Sequence, residues 1–394
     1  MDARVWVARA GFAIVVSTQR LSPGLFNSSA KRYDDTHDPG DKNMTQAQLA
    51  ALTRPRQPAI PRNCTFDSHD WEILARYWHP VAFAADVQDK PISVTLLDEA
   101  LVVYRTQGRV VAARDVCPHR GAPLSQGWVD NGNLVCPYHG LSYEASGKCV
   151  HIPSQPEGPI PERLCLTTYA AQEAYGLVWV SLGGGEVPLP EFPAWNTEGY
   201  QQILPPSIDI HASAGRQTEG FIDVAHFAWI HHDSFADRHN PVVPQYSVER
   251  RPNGLRAEYV STVSNFPKSM QHRAPEGFVW RRIFEVDVPF FARLTVHFPE
   301  DGRLAILNAA SPVSARHTRL FVPIARNFDQ DLPLDDVYAF NRQVFEEDRA
   351  IVELQCPEDL PIDRSQEAPI LADRSSGAYR RALAEIGLGQ KYVR

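Results

Sequence analysis

A chain of 394 residues with 43% hydrophobic and 10% aromatic side chains holds enough material for two domains of ordinary size with packed cores. Its 47 acidic against 39 basic side chains give a formal charge of -8 with no basic stripe, which excludes the electrostatic footprint of a nucleic-acid binder. Six cysteines (Cys64, Cys117, Cys136, Cys149, Cys165, Cys356) are too sparse for a disulfide scaffold and point to metal ligation or plain burial.

Residues 1–43 are polar and without a sustained period, and Met44 follows them directly before a helix-like opening. They are expected to be either a disordered tail or an extension ahead of a true start at Met44. The apolar run Gly11 to Val16 is too short to span a bilayer, and no convincing cleavage site follows it, so the expected location is the cytoplasm.

From Trp71 to about Leu182 the pattern is one of short β-rich runs: Val81 to Ala84, Ile92 to Leu97, Leu101 to Tyr104, Val110 to Ala113, Leu134 to Tyr143 and Gly176 to Leu182. This predicts a small all-β domain over 66–185. Within it lie two loops, Cys117-Pro-His119-Arg-Gly121 and Cys136-Pro-Tyr-His139-Gly140, with sixteen residues between His119 and Cys136. Each loop offers one soft thiolate and one imidazole. A [2Fe-2S] cluster needs two protein ligands on each iron, so two thiolates on one and two neutral imidazoles on the other complete both tetrahedra. Exchanging thiolate for neutral imidazole raises the reduction potential, which suits an acceptor of electrons from a ferredoxin or reductase. Zinc also takes a Cys2His2 set, but a zinc finger puts its His pair on a helix, whereas both loops here lie between β-rich runs. Gly121 and Gly140 fit backbone that approaches the sulfurs closely.

The Gly183-Gly184-Gly185 run and the Pro-rich stretch Pro188 to Pro193 break the pattern, and a second domain is expected over 186–394. Its strand candidates are Ile208 to Ala212, Tyr246 to Arg251, Leu255 to Val263, Phe278 to Val288, Ala292 to Pro299, Leu304 to Ala310 and Thr318 to Ile324. Helices are expected at about Gly220 to His232 and Leu334 to Gln355, giving an α+β domain with a mostly antiparallel sheet and flanking helices.

The first of those helices carries Asp223-Val-Ala-His226-Phe-Ala-Trp-Ile-His231. Asp223, His226, Phe227, Ile230 and His231 share one broad face at 100° per residue, while His232 points the other way. An i, i+5 pair is splayed on an ideal helix, so His231 is expected at the helix end or past a local distortion. A non-haem iron that activates dioxygen takes two His and one carboxylate on one side. In the second helix Val337, Phe340, Val344, Ile351 and Gln355 repeat at helical spacing, with Asp348 in the centre of that stripe and Glu346 and Glu353 on the other side. An acid placed there is costly unless a metal or a partner neutralises it. Each feature alone has a plain structural explanation: buried His pairs are often merely hydrogen-bonded, and Glu346-Glu347-Asp348 is also what a solvated helix face looks like.

The two Cys-Pro loops, with the flanks Leu124-Ser-Gln-Gly and Gly147-Lys-Cys-Val-His-Ile-Pro, resemble the Rieske domain of ring-hydroxylating and demethylating oxygenases. The resemblance covers about Phe66 to Asp359 and is nearest to vanillate demethylase and the phthalate dioxygenase group. It implies Cys117, His119, Cys136 and His139 as ligands of the cluster. It also implies His226, His231 and Asp348 as ligands of a mononuclear Fe(II), and Asp223 as a bridge between His226 and His139 of a neighbouring subunit in a head-to-tail homotrimer. Electrons from an external reductase or ferredoxin then reach the iron through His139 and Asp223, since no dinucleotide fingerprint is present. The remaining cysteines are read as structural. One departure stands out: demethylase-type relatives often carry Asn three residues before the bridging Asp, and this chain has Glu219-Gly220 there.

The expected function is a terminal oxygenase that uses O2 to hydroxylate or O/N-demethylate a small aromatic substrate. The alternatives are a ring cis-dihydroxylating dioxygenase and, from another class, a Rieske electron carrier without catalysis. Pocket-lining candidates are Phe284, Phe290, Phe291 and His297, and at most one of Arg281 and Arg282 faces a substrate carboxylate, because neighbours on a strand point to opposite sides.

Overall fold

The computed structural model describes residues 59–389; the expectation for 1–43 lies outside the described residues. A short helix, α1 (Ser68–Leu74), opens with Asp67 accepting from the His69 amide, and buries Trp71, Ile73 and Leu74 against the first sheet. That sheet has six strands in the order β1 (His79–Phe83), β10 (Leu177–Ser181), β9 (Thr168–Ala174), β4 (Arg109–Arg114), β3 (Glu99–Thr106) and β2 (Ile92–Leu96). All neighbours are antiparallel. A second sheet of four short strands, β5 (Trp128–Asp130), β6 (Asn133–Val135), β7 (Ser142–Tyr143) and β8 (Cys149–His151), stands on it. The expected single run from Leu134 to Tyr143 is thus two strands. The stretch between them is a turn in which the Gly140 amide returns to the Cys136 carbonyl at 3.0 Å.

After the Gly183–Gly185 run the chain enters a larger antiparallel sheet through β11 (Gln201–Ile203) and β12 (Ile208–Ile210). The rest of that sheet is β13 (Ser247–Arg251), β14 (Gly254–Ser261), β15 (Trp280–Asp287), β16 (Phe291–His297), β17 (Arg303–Ser314), β18 (His317–Phe321) and β19 (Ile324–Arg326). Strict alternation along β15 buries Trp280, Arg282, Phe284 and Val286 and turns Arg281 outward onto Glu258 at 2.6 Å. Helices α2 (Ala214–Ile222), α3 (Phe227–Ile230), α4 (Leu334–Val352) and α5 (Arg374–Glu385) flank the sheet. The fold class is therefore α+β, as expected. Strand β9 and helix α5 escaped the sequence pattern: Thr-Tyr-Ala-Ala-Gln-Glu-Ala reads as helix-forming, and α5 is rich in Arg, Ser and Ala.

The two sheet systems share one core. Trp71, Leu96 and Val180 from the first pack in the same apolar cluster as Phe284, Leu320 and Tyr379 from the second. The tight turn Leu97-Asp98 also donates its amides to Pro312 and Val313 on β17 at 2.8 and 2.9 Å. Among the described residues no helix is long and apolar enough to cross a membrane.

Candidate functional site

The loops at Cys117 and Cys136 are built alike. In each, the cysteine amide donates to the carbonyl five residues on (Ala122, Leu141), and the glycine four residues on donates back to the cysteine carbonyl. Gly121 and Gly140 sit at φ of 74° and 70°, so the left-handed turn is what demands glycine. An added Cβ at Gly121 meets nothing within 4 Å, and at Gly140 it meets Pro153. The turns bury both cysteines and leave His119 and His139 at the surface, their rings 4.6 Å apart. Burial pushes the Cys136 thiol up, while the amides of Tyr138 and His139 aimed at its sulfur pull it down. Buried thiolates need a cation, and an inner pair of sulfurs beneath an outer pair of imidazoles fits a binuclear cluster with one iron on each pair. Tyr143 adds a hydroxyl 3.2 Å from Cys117 Sγ, a neighbour the sequence reading did not single out. Cys149 is buried in the same small core, whereas Cys165 and Cys356 are exposed.

The helix expected around Gly220 to His232, with His231 at its end or past a distortion, is two helices with His231 closing the second. Helix α2, capped by Ser213, stops at Asp223, whose backbone is extended. The Asp223 carboxylate accepts from the His226 amide at 2.9 Å and from His226 Nδ1 at 3.0 Å, so the acid that ends one helix also starts the next turn. Helix α3 then lasts one turn and His231 closes it. This break is the physical answer to the splay of an i, i+5 pair: His226 Nε2 and His231 Nε2 come to 3.0 Å. Phe235 stacks on the His231 ring at 4.8 Å and Phe227 sets its edge against His226 at 5.0 Å.

Helix α4 brings Asp348 Oδ1 to 3.1 Å from His231 Nε2 and 3.5 Å from His226 Nε2. Its buried side chains are Phe345 and Val352, while Ile351 is exposed, so Asp348 stands at the edge of the buried face and not at the centre of the expected stripe. Glu347, not singled out from sequence, reaches His231 Nδ1 at 2.8 Å. It falls 100° from Asp348 on the same side as Phe340 and Val344, which is the signal that could have found it.

Nδ1 of each imidazole lies against a carboxylate, so when a metal takes the two Nε2 lone pairs the ring hydrogens belong on Nδ1. Burial opposes a charge on His231, yet its contacts with Asp348 and Glu347 outweigh that and hold its pKa above the ordinary value. Burial likewise works against the Asp223 carboxylate, and the hydrogen bonds from His226 outweigh it, holding the group below the usual range. The two Nε2 atoms and a carboxylate oxygen all lie within 4.8 Å, a convergence that a proton or a cation among them relieves. Ligands about 2.1 Å from one metal and at right angles lie about 3.0 Å apart, so the observed spacing fits a facial metal site.

Cavities meet the triad on two sides. One of 570 Å³ is walled by Phe227, Phe235, Phe266, Phe298, Phe328 and Val344, with Asn265, Arg282 and Arg326 among them, and touches His226, His231 and Asp348. Arg282 is fully buried beneath Phe227 and Tyr259, and burial lowers its pKa to about 10. The four candidates Phe284, Phe290, Phe291 and His297 do not line it; Phe290 and Phe291 instead pack on His79 in the core. The other cavity, 640 Å³, holds Asp223, Gly220 and the outer edges of His226 and Asp348 beside exposed Trp229, Ile351 and Ile370. Glu219 supplies no polar substitute at Gly220, because it is turned onto Arg380 in a bidentate pair at 2.6 and 2.7 Å.

Comparison with known proteins agrees with this geometry. Residues 77–170 match the family model of the Rieske [2Fe-2S] domain, and residues 210–388 match that of the vanillate O-demethylase oxygenase C-terminal domain. Methylxanthine N1-demethylase NdmA of Pseudomonas putida is 33% identical over 326 residues, covering 80% of this chain and 90% of that one. The solved structure of that enzyme with caffeine superposes with a TM-score of 0.72 at 32% identity, over 80% of this chain and 92% of that chain. Dicamba monooxygenase bound to dicamba shares the fold at 21% identity, with a TM-score of 0.69 over 79% and 97% of the two chains. The chain belongs to the Rieske non-haem iron oxygenases. It is an oxidoreductase, a terminal oxygenase of the demethylase-like branch, whose cofactors are a [2Fe-2S] Rieske cluster and a mononuclear iron.

Proposed function

We propose that this enzyme removes a methyl group from a small N- or O-methylated aromatic or heteroaromatic substrate held in the 570 Å³ cavity. The single observation that carries the reading is the opening of a mostly aromatic cavity, of a size suited to one small ligand, onto the converging atoms of His226, His231 and Asp348. In that reading Cys117 and Cys136 hold one iron of the cluster and His119 and His139 the other, within a Rieske domain of residues 66–185. His226, His231 and Asp348 hold the catalytic iron in a domain of residues 186–394. The iron supplies dioxygen activation. The aromatic wall excludes water and orients the methyl group, and Asp223 holds the His226 tautomer.

Chemically, R-X-CH3 (X being N or O), O2, two electrons and two protons give R-X-CH2OH and water. The hemiaminal or hemiacetal then collapses to R-XH and formaldehyde. The electrons come from a separate reductase, alone or with a ferredoxin. We assign Asp223 as the bridge to His139 of a neighbouring subunit in a homotrimer. Two exposed apolar patches support this: Val116, Trp128 and Tyr138 around the cluster loops, and Trp229, Ile351 and Ile370 around Asp223. Cysteines held as ligands and an external electron supply suit the cytoplasm.

The test is turnover with a surrogate reductase on a panel of methylated heterocycles and methoxylated aromatic acids, following O2, formaldehyde and the demethylated product. One formaldehyde per product is expected. A diol that retains every substrate carbon, without formaldehyde, would make the chain a ring dioxygenase instead.

A further inference from the structure

His231 is 2% exposed, and its ring is fixed on three sides. Phe235 stacks on one face, Asp348 lies at Nε2, and Glu347 Oε2 lies 2.8 Å from Nδ1. Glu347 is itself held: the same oxygen accepts from Ser234 Oγ at 2.8 Å, and Oε1 accepts from Gln343 Nε2 at 3.0 Å, one turn back on α4. The adjacent Glu346 is turned to Arg349.

We infer that Glu347 is a positioning residue for the metal centre, claiming the His231 ring hydrogen at Nδ1 so that Nε2 and Asp348 both stay free to bind iron. This rests on the reading of His226, His231 and Asp348 as the iron ligands. The alternative tautomer explains why the brace is needed. With the hydrogen on Nε2, His231 would donate to Asp348 Oδ1 across the observed 3.1 Å, and one hydrogen bond would consume two of the three ligand atoms. A carboxylate at Nδ1 makes that tautomer costly and adds negative charge behind the ligand, which strengthens its donation.

Asp223 does the same for His226. Asp223 borders the outer cavity, whereas Glu347 is held by Ser234 and Gln343. Because Glu347 and Asp348 are consecutive on α4, ligand and brace keep their register with each other whatever the helix does.

The experiment uses full-length protein with its cluster intact and its mononuclear metal removed by chelation, titrated anaerobically with Co(II) by calorimetry and by the cobalt visible bands. Wild type is expected to bind one Co(II) per chain, and Asp348→Ala none at that site; equal binding by the two would sink the ligand assignment itself, separately from the role of Glu347. Given that control, Glu347→Ala should weaken Co(II) binding by about 10–100-fold, with the [2Fe-2S] spectrum unchanged. Glu347→Gln, whose carbonyl still accepts the Nδ1 hydrogen but carries no charge, should fall between the two. If Glu347→Ala does not fold, the near-isosteric Gln variant decides alone. Affinity within twofold of wild type in every Glu347 variant that folds overturns the inference.

Discussion

The hydroxyl of Tyr143, 3.2 Å from Cys117 Sγ, withdraws negative charge from a sulfur that holds the cluster in our assignment. Hydrogen bonds to cluster sulfurs raise the reduction potential by stabilising the more negative reduced state. Tyr143→Phe removes that bond and nothing else of comparable size, so its midpoint potential should lie below that of wild type in a redox titration followed by electron paramagnetic resonance, with the cluster still at full occupancy. An unchanged potential would mean that the hydroxyl does not donate to the sulfur. The residues brought together at both centres were readable in advance because their spacing is local: four positions cluster in two short loops, and His226 and His231 in one. Asp348 as the third ligand came from the family resemblance, since the apolar stripe expected to centre on it is not what the helix buries. Tyr143 and Glu347 were harder, because what identifies them is a hydrogen bond to another ligand, and a Tyr in a strand or a second Glu beside an acid has an ordinary explanation in sequence.

Strands followed their periodicity where one face is buried, and the pattern failed at the Asp223 break and at β9 and α5, whose composition hides them. Strand β15 alternates as its pattern predicts, which places Arg282 inside, with NH groups donated to Ser261 Oγ at 3.1 Å and to the Val263 carbonyl at 2.6 Å. Among the described residues no carboxylate pairs with this guanidinium, which is held by neutral oxygens and the faces of Phe227 and Tyr259. Arg282→Ala strands the Val263 carbonyl and leaves a hole beneath Phe227. It should cost about 2–4 kcal/mol in denaturant unfolding and loosen the wall next to His226. A loss below about 0.5 kcal/mol would show that this buried cation contributes nothing net. Of the helix expected over Gly220 to His232 only residues 220–222 and Phe227–Ile230 are helical, and the first piece begins earlier, at Ala214. Its interruption is set by the Asp223 side chain capturing the His226 amide, a local hydrogen bond that competes with the helix and leaves no trace in hydrophobic spacing.

At the scale of the whole molecule, the pattern break at Gly183 marks where one sheet system gives way to the next, yet it does not divide the core. His79 on β1 sits at this shared interior, touching Phe290 and Phe291, with Nε2 at 3.0 Å from the Leu74 carbonyl. Burial holds its pKa at about 4, against an ordinary 6.5, and the Leu74 contact offsets only part of that. Above pH 6.5 the ring is neutral whether the chain is folded or not. Between 6.5 and 4 the unfolded chain takes a proton that the folded one refuses, so stability drops as pH falls, by at most about 1.4 kcal/mol per pH unit. Unfolding at pH 7.5 and 5.5 should therefore show a smaller loss on acidification for His79→Leu than for wild type, and equal losses would place the proton uptake elsewhere.

In our assignment two separate iron centres stand on one polypeptide, the second held by His226, His231 and Asp348. Iron and acid-labile sulfide per chain, measured in anaerobically purified wild type and in Asp348→Ala, decide whether they do. Three irons and two sulfides are expected in wild type, and two irons with two sulfides and an unaltered Rieske signal in the variant. Two irons in wild type after ferrous loading, or three retained in Asp348→Ala, would contradict the assignment.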